Sequence, residues 1–211
     1  MKILIFSDVH GNLPAFEEMI KNEPGVESYI CLGDLVNYGP WSNECVSLAK
    51  SLKNAILLIG NHEVDFLLGN YSGNNHIAKL FFEFCYPKFN HISAFSSFLE
   101  SYNFNGYILK HNLAFDVIYP DSEISLDNNY IIGHSHYQFM IKKNGFTLYN
   151  TGSVGQNRRY INVIDYLVFY PDKKYFELKN IRYNVEPVIQ KMKNMGYPYD
   201  CIEYYNEKPR I

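Results

Sequence analysis

The stretch Lys2-Ile3-Leu4-Ile5-Phe6-Ser7-Asp8-Val9-His10-Gly11-Asn12-Leu13-Pro14 decides the fold. Its apolar run is short enough for a buried strand and stops abruptly at polar Ser7 and Asp8. Asn12 is a good helix N-cap and Pro14 suits a first helical turn, after which Leu13, Phe16 and Ile20 share one face. A buried strand that passes through a polar turn into a helix is the repeating unit of an α/β sheet. Outward from this stretch the unit recurs. Residues 29–32 read as a second strand, Ser42 opens a second helix with Cys45, Leu48, Ala49 and Leu52 at helical spacing, and residues 55–59 read as a third strand.

From about residue 63 to 105 the chain turns aromatic and helical, punctuated by Gly69, Gly73 and Pro87. Short strands are expected at 107–110, 114–118, 130–132, 139–141 and 146–149. Two longer ones follow at 161–170 and 175–181, joined by a turn at Pro171-Asp172, and 186–195 suits a last helix. The expectation is one domain over residues 1–211, of α/β (α+β) class, with a helical, aromatic-rich insertion at about 63–105. Its strand-rich second half should form a second sheet packed on the first.

Composition narrows the function classes. With 19 Lys plus Arg against 22 Asp plus Glu, the formal charge of -3 argues against a basic nucleic-acid surface and against a polyanionic tail. The 47% hydrophobic share supports a sizeable core, and the 19 Tyr and 15 Phe are read first as compositional bias. The apolar start is broken by Ser7, Asp8 and His10 too early for a signal peptide, and no run approaches a membrane span. Cys31, Cys45, Cys85 and Cys201 are scattered without a CxxC pair, which fits reduced thiols in the cytoplasm.

Five polar clusters each follow an apolar, strand-like run: Asp8-Val9-His10-Gly11-Asn12, Gly33-Asp34, Gly60-Asn61-His62-Glu63, His111, and Gly133-His134-Ser135-His136. A lone Asp-x-His is usually a surface turn, but ligands in open α/β sheets bind beyond the carboxyl ends of strands, so these five can converge. Their mixed oxygen and nitrogen donors suit transition-metal or zinc ions better than calcium or magnesium. His76 and His91 match no cluster and read as surface or helix residues.

Taken in order, these clusters resemble the calcineurin-like metallophosphoesterase superfamily, over residues 5 to about 159. The segment Asn150-Thr151-Gly152-Ser153-Val154-Gly155-Gln156 resembles its small bacterial phosphodiesterase branch. The resemblance implies a four-layer αββα sandwich of two mixed sheets flanked by helices. It implies two divalent ions (Mn, Fe, Zn or Ni, with Mn favoured): one held by Asp8, His10, Asp34 and His136, the other by Asp34, Asn61, His111 and His134. Asp34 would bridge, a hydroxide between the ions would attack phosphorus, and His62 would assist the leaving oxygen. The sequence departs from the pattern in Asn112 after His111, Thr151 and Ser135. Asn37-Tyr38 stands where the protein-phosphatase branch has an Asp-Arg pair. Asn12, Tyr38, Trp41 and Arg158 are candidate substrate contacts. The expected partner is a small phosphorylated substrate, of phosphodiester or nucleotide type, with no membrane and no extended nucleic acid. Phosphomonoesters, phosphoproteins and dinucleoside polyphosphates are the alternatives. A non-catalytic scaffold is disfavoured, because scaffolds tend to lose ligands and here the set with His62 is complete.

Overall fold

Strand β1 (Lys2–Phe6) lies at the centre of a five-stranded sheet in the computed structural model, which describes residues 1–113 and 117–211. It pairs in parallel with β2 (Val26–Cys31), and β2 with β3 (Ala55–Leu57). Parallel neighbours need crossovers. Helices α1 (Leu13–Asn22) and α2 (Ser42–Ser51) supply them. On its other side β1 pairs antiparallel with β9 (Val163–Tyr170), and β9 with β10 (Tyr175–Arg182), giving the order β10-β9-β1-β2-β3. Side chains alternate along these strands as period-2 geometry demands. Leu4, Phe6, Tyr29, Cys31, Tyr166 and Val168 face a core shared with the helices, whereas Ile5, Ile30, Leu32, Leu167 and Phe169 face the other sheet.

The second sheet has the order β4-β5-β6-β8-β7, from β4 (Tyr102–Phe104), β5 (Tyr107–Leu109), β6 (Tyr130–Ile132), β7 (Gln138–Lys143) and β8 (Phe146–Thr151). It too is mixed, parallel across β5-β6-β8 and antiparallel at both edges. Leu109, Ile131 and Phe176 close the layer between the sheets. Two facing mixed sheets with flanking helices are thus present as expected. The helices α3 (Asn61–Leu68), α4 (His76–Cys85), α5 (Glu186–Met195) and α6 (Tyr199–Asn206) join α1 and α2 on the outer side of the first sheet. A smaller cluster of Ile118, Leu126, Ile132, Phe139 and Leu148 covers the outer face of the second.

Two elements were not anticipated. Strand β4 precedes Asn105-Gly106, whose φ values of 48° and 81° are those of a tight hairpin turn, and Asn144-Gly145 turns β7 into β8 in the same way. Helix α6 follows Pro198 and buries Cys201 and Tyr205. Strand β3 ends two residues earlier than expected, with Leu58 bridging to Leu99 instead. Of the strand expected at 114–118, residues 114–116 lie outside the described residues, and Ile118 belongs to no strand. Among the described residues no helix is long and apolar enough to cross a membrane.

Candidate metal centre

Every polar cluster follows a strand of one sheet or the other, so the ends of β1, β2, β3, β5 and β6 deliver a handful of side chains to one end of the sandwich. Asp8 and His10 follow β1, Asp34 follows β2, Asn61 opens α3 just beyond β3, His111 follows β5, and His134 and His136 follow β6. The turns interlock: the Asp8 and His10 amides donate to the carbonyls of Gly33 and Asp34 at 3.0 and 2.9 Å. Asp8, His10, Asp34, His134 and His136 all have φ between 50° and 68°. That left-handed region is costly for residues with a Cβ and persists only where the surroundings enforce it. At Gly133 a Cβ would collide with the side chains of Ser7 and Asp8, so the turn before His134 requires glycine.

Three groups of donors form: Asp8-His10-His136, His10-Asp34-His62 and Asp34-His111-His134. His10 Nδ1 lies 3.0 Å from the Val36 carbonyl oxygen and His136 Nδ1 3.0 Å from that of Gln156. A carbonyl only accepts, so each Nδ1 carries the proton and each Nε2 presents a lone pair. Those two Nε2 atoms face each other at 3.0 Å, with Asp8 Oδ1 3.2 Å from the nearer. At His111 Nδ1 is likewise 3.0 Å from the Leu32 carbonyl, while Nε2 is surrounded by Asn61 Oδ1 at 3.0 Å, Asp34 Oδ2 at 3.1 Å and His134 Nδ1 at 3.2 Å. Asp8 Oδ1 is buried without a hydrogen bond. Lone pairs converging on lone pairs repel unless a cation lies among them, so the residues fit divalent ions, with imidazole and carboxylate donors of the type such ions prefer.

The electrostatics agree. Burial works against the charge of Asp8 and Asp34, yet the surrounding histidines hold both carboxyls well below the usual 3.8. Burial likewise opposes charge on His111, but the Asp34, Asp8 and Glu63 carboxylates outweigh it and lift the imidazole to about 10. A site that concentrates this much negative charge calls for cations.

His62 sits at the wall of the centre, its ring edge-on to His10 at 5.0 Å. Its Nδ1 lies 3.1 Å from the Asn37 amide nitrogen, which can only donate, so the ring proton belongs on Nε2. Burial pushes this imidazole down to about 3, which keeps it neutral. Two residues named in the sequence reading were given no role at the site. Asn37 holds His62 from behind. Glu63 is fully buried and accepts the amides of Asp34, Leu35 and Gly60 at 2.7, 2.7 and 2.8 Å, lacing the second and third clusters together. Its position three residues after Gly60, at the start of a helix, was the available signal.

The candidate substrate contacts separate. Asn12 is fully buried, and its side chain caps α1 through Ala15 and donates to the Gly155 carbonyl and the Tyr183 hydroxyl. Both polar atoms of Asn12 are thus engaged within the fold. Trp41 packs on the helix-side core and makes no ring contact with the histidines among the described residues. Tyr38 does reach the centre, packing on His10 at 4.7 Å and His62 at 5.5 Å. Arg158 is half-buried, its amide donating to the His136 carbonyl at 3.3 Å. A cleft of ≈ 560 Å³ opens on the Asn61, His111 and His134 side and continues past Lys110 and Glu100. His76 and His91 lie outside the centre.

The profile described as calcineurin-like phosphoesterase matches residues 1–204. An uncharacterized protein of Methanocaldococcus jannaschii is 29% identical over 226 residues, covering 90% of this chain and 91% of its own. Among solved structures, a metallophosphoesterase from Sphaerobacter thermophilus superposes with a TM-score of 0.81 at 24% identity, covering 98% of each chain. A hypothetical protein from Pyrococcus horikoshii does so with 0.76 at 13% identity, covering 97% of each. A profile match over nearly the whole length joins a donor set built at the strand ends of a double sheet, and the chain belongs to the calcineurin-like phosphoesterase family, a family of metal-dependent phosphoric-ester hydrolases.

Proposed function

We propose that the protein hydrolyses phosphodiester or nucleotide-type bonds with two divalent transition-metal ions. The observation that carries this reading is the close approach of imidazole nitrogens, His10 to His136 and His111 to His134, around a shared Asp34. Asp8, His10, Asp34 and His136 would hold one ion, and Asp34, Asn61, His111 and His134 the other. When bound, such ions supply Lewis acidity at the phosphoryl oxygens and a water of lowered pKa. The mixed donors suit Mn, Fe, Zn or Ni, and we assign Mn²⁺ as the working ion.

The chain's own residues do the rest. Asn37 fixes the His62 tautomer, so Nε2–H is the group His62 offers to a substrate oxygen, and a donor so placed assists departure of the leaving group. Glu63 ties the turns that carry Asp34 and Asn61, which limits their drift between turnovers. Asn37-Tyr38 puts an amide and a phenol where a phosphatase of the related branch would place an acid and a cation. A phosphomonoester dianion therefore loses a clamp, whereas a diester carries one charge at phosphorus and needs less. The four cysteines are all buried and unpaired, which supports a cytoplasmic, reducing setting.

The test is the ratio of kcat/KM for a chromogenic phosphodiester to that for the matching monoester, with Mn²⁺ supplied. A diester preference is expected. Preference for the monoester, or for a phosphopeptide, would overturn the substrate assignment and favour a phosphatase.

A further inference from the structure

Beside the metal centre stand two cations without a carboxylate, and one of them comes from the C-terminal tail. Lys208 follows α6 among exposed neighbours, Glu207 and Pro209, yet is itself half-buried. Its ammonium lies 4.6 Å from the centre of the Tyr204 ring. Tyr204 packs on Tyr38 at 6.0 Å, and Tyr38 packs on His10 at 4.7 Å. Three contacts therefore lead from a candidate ligand to Lys208.

Arg158 reaches the same place from the segment after β8. Its backbone is tied to His136, and its charge acts on Tyr38, Tyr204, His136 and Lys208 alike. Among the described residues neither Arg158 nor Lys208 has an ion-pair partner; the lysines and arginines that do are Lys2, Lys21, Lys79, Lys179 and Arg210. Burial, and next the Arg158 charge, push the Lys208 ammonium down to about 8, with no carboxylate acting the other way. Like charges held together in a half-buried place cost free energy, and an anion between them relieves it.

We propose that Arg158 and Lys208 form an anion subsite that holds a second phosphoryl group of the substrate, next to the one cleaved. A guanidinium fork, an ammonium and two phenols match the several oxygens and the double charge of such a group, more than one carboxylate would use. The subsite rests on the phosphoesterase reading above and narrows it to substrates with linked phosphates, such as nucleoside polyphosphates or dinucleoside polyphosphates. Lone phosphodiesters engage the centre without it.

The experiment is calorimetric titration of the Mn²⁺-loaded protein with imidodiphosphate, which resists hydrolysis, and with orthophosphate. The wild type should bind imidodiphosphate at least about tenfold more tightly, the scale of one charged hydrogen bond. Lys208→Gln and Arg158→Gln should each weaken imidodiphosphate about tenfold and orthophosphate less than about threefold. Arg158→Lys, which keeps the charge, should retain most of the preference, and the exposed Lys193→Gln should change neither affinity. Equal affinities in the wild type, or variants that lose both anions equally, would overturn the subsite. Parallel turnover of bis(p-nitrophenyl) phosphate separates the two claims. A protein that cleaves it but shows no diphosphate preference keeps the phosphoesterase reading and loses the subsite. One that prefers the diphosphate analogue but cleaves no ester keeps the subsite and loses the reading.

Discussion

Asp34 divides one carboxylate between two duties. Oδ1 accepts the His62 amide at 2.9 Å, while Oδ2 lies 3.1 Å from His111 Nε2 and 3.8 Å from His10 Nε2, between the two donor groups. Asp8, by contrast, faces only His10 and His136 through Oδ1. Asp34→Ala should therefore empty both ion positions and Asp8→Ala mainly one. Metal analysis of the purified variants reads this directly, and equal stoichiometric loss in both would remove the bridging role from Asp34. His62 makes a different prediction, because its Nδ1 is occupied by Asn37 and the role proposed for it runs through the Nε2 proton rather than a lone pair. His62→Ala should keep both metals and lower turnover by roughly 10²- to 10⁴-fold, the usual contribution of a positioned acid or base. The loss should shrink on substrates with good leaving groups. A variant that arrives without metal would make His62 a ligand.

At the scale of elements, Glu23 shows how the sheet end remote from the metal centre is held. It lies at the C-terminus of α1, is 2% exposed, and accepts from Lys2 of β1 and the Tyr166 hydroxyl of β9, each at 2.9 Å, and from Lys179 of β10. Burial raises its carboxyl pKa, but the bonds from Lys179, Lys2 and Tyr166 outweigh that and hold it below 4.5. A folded-state value below the unfolded one gives stability that is full above about pH 5 and drains as pH falls through the folded value. Thermal melts should thus show the wild type above Glu23→Gln at neutral pH, with the gap closing in acid. A gap independent of pH would mean packing, not charge, is what Glu23 contributes. Elements such as β1, β6 and α5 were legible because apolar period and caps agreed at their ends. Helix α6 was not, because Tyr199 to Asn206 mixes weak helix formers and only its burial of Cys201 and Tyr205 holds it. Strand β4 was legible in principle through Asn105-Gly106. The candidate ligands were visible because polar residues at the ends of apolar runs are conspicuous. Their left-handed backbones, and the reach of Glu63 beyond its own helix start to the Asp34 and Leu35 amides, arise from tertiary contacts that no local pattern encodes.

Across the whole molecule, the centre takes donors from both sheets. Asp8, His10, Asp34 and Asn61 come from turns of the first, and His111, His134 and His136 from turns of the second. Between the sheets, apolar side chains such as Ile5, Leu167, Leu109 and Ile131 supply cohesion without direction. Ions held from both sides would therefore act as a clamp on the sandwich as well as a reagent, and without them the crowded lone pairs and acidic charge would push the sheets' ends apart. Ligands that bind only the folded state stabilise by mass action, about 2.7 kcal/mol at a concentration 100 times Kd. In a domain of this size each kcal/mol shifts Tm by about 2–4 °C, so chelation should lower Tm by roughly 5–10 °C per well-occupied site. Mn²⁺ should restore it, and Asp34→Ala should melt at one temperature whether or not chelator or Mn²⁺ is present. Loss of the Mn²⁺ response in Asp34→Ala, with partial retention in Asp8→Ala, would tie the clamp to the shared carboxylate. A wild type whose melting ignores both chelator and Mn²⁺ would show that the sheets are locked by their apolar interface alone.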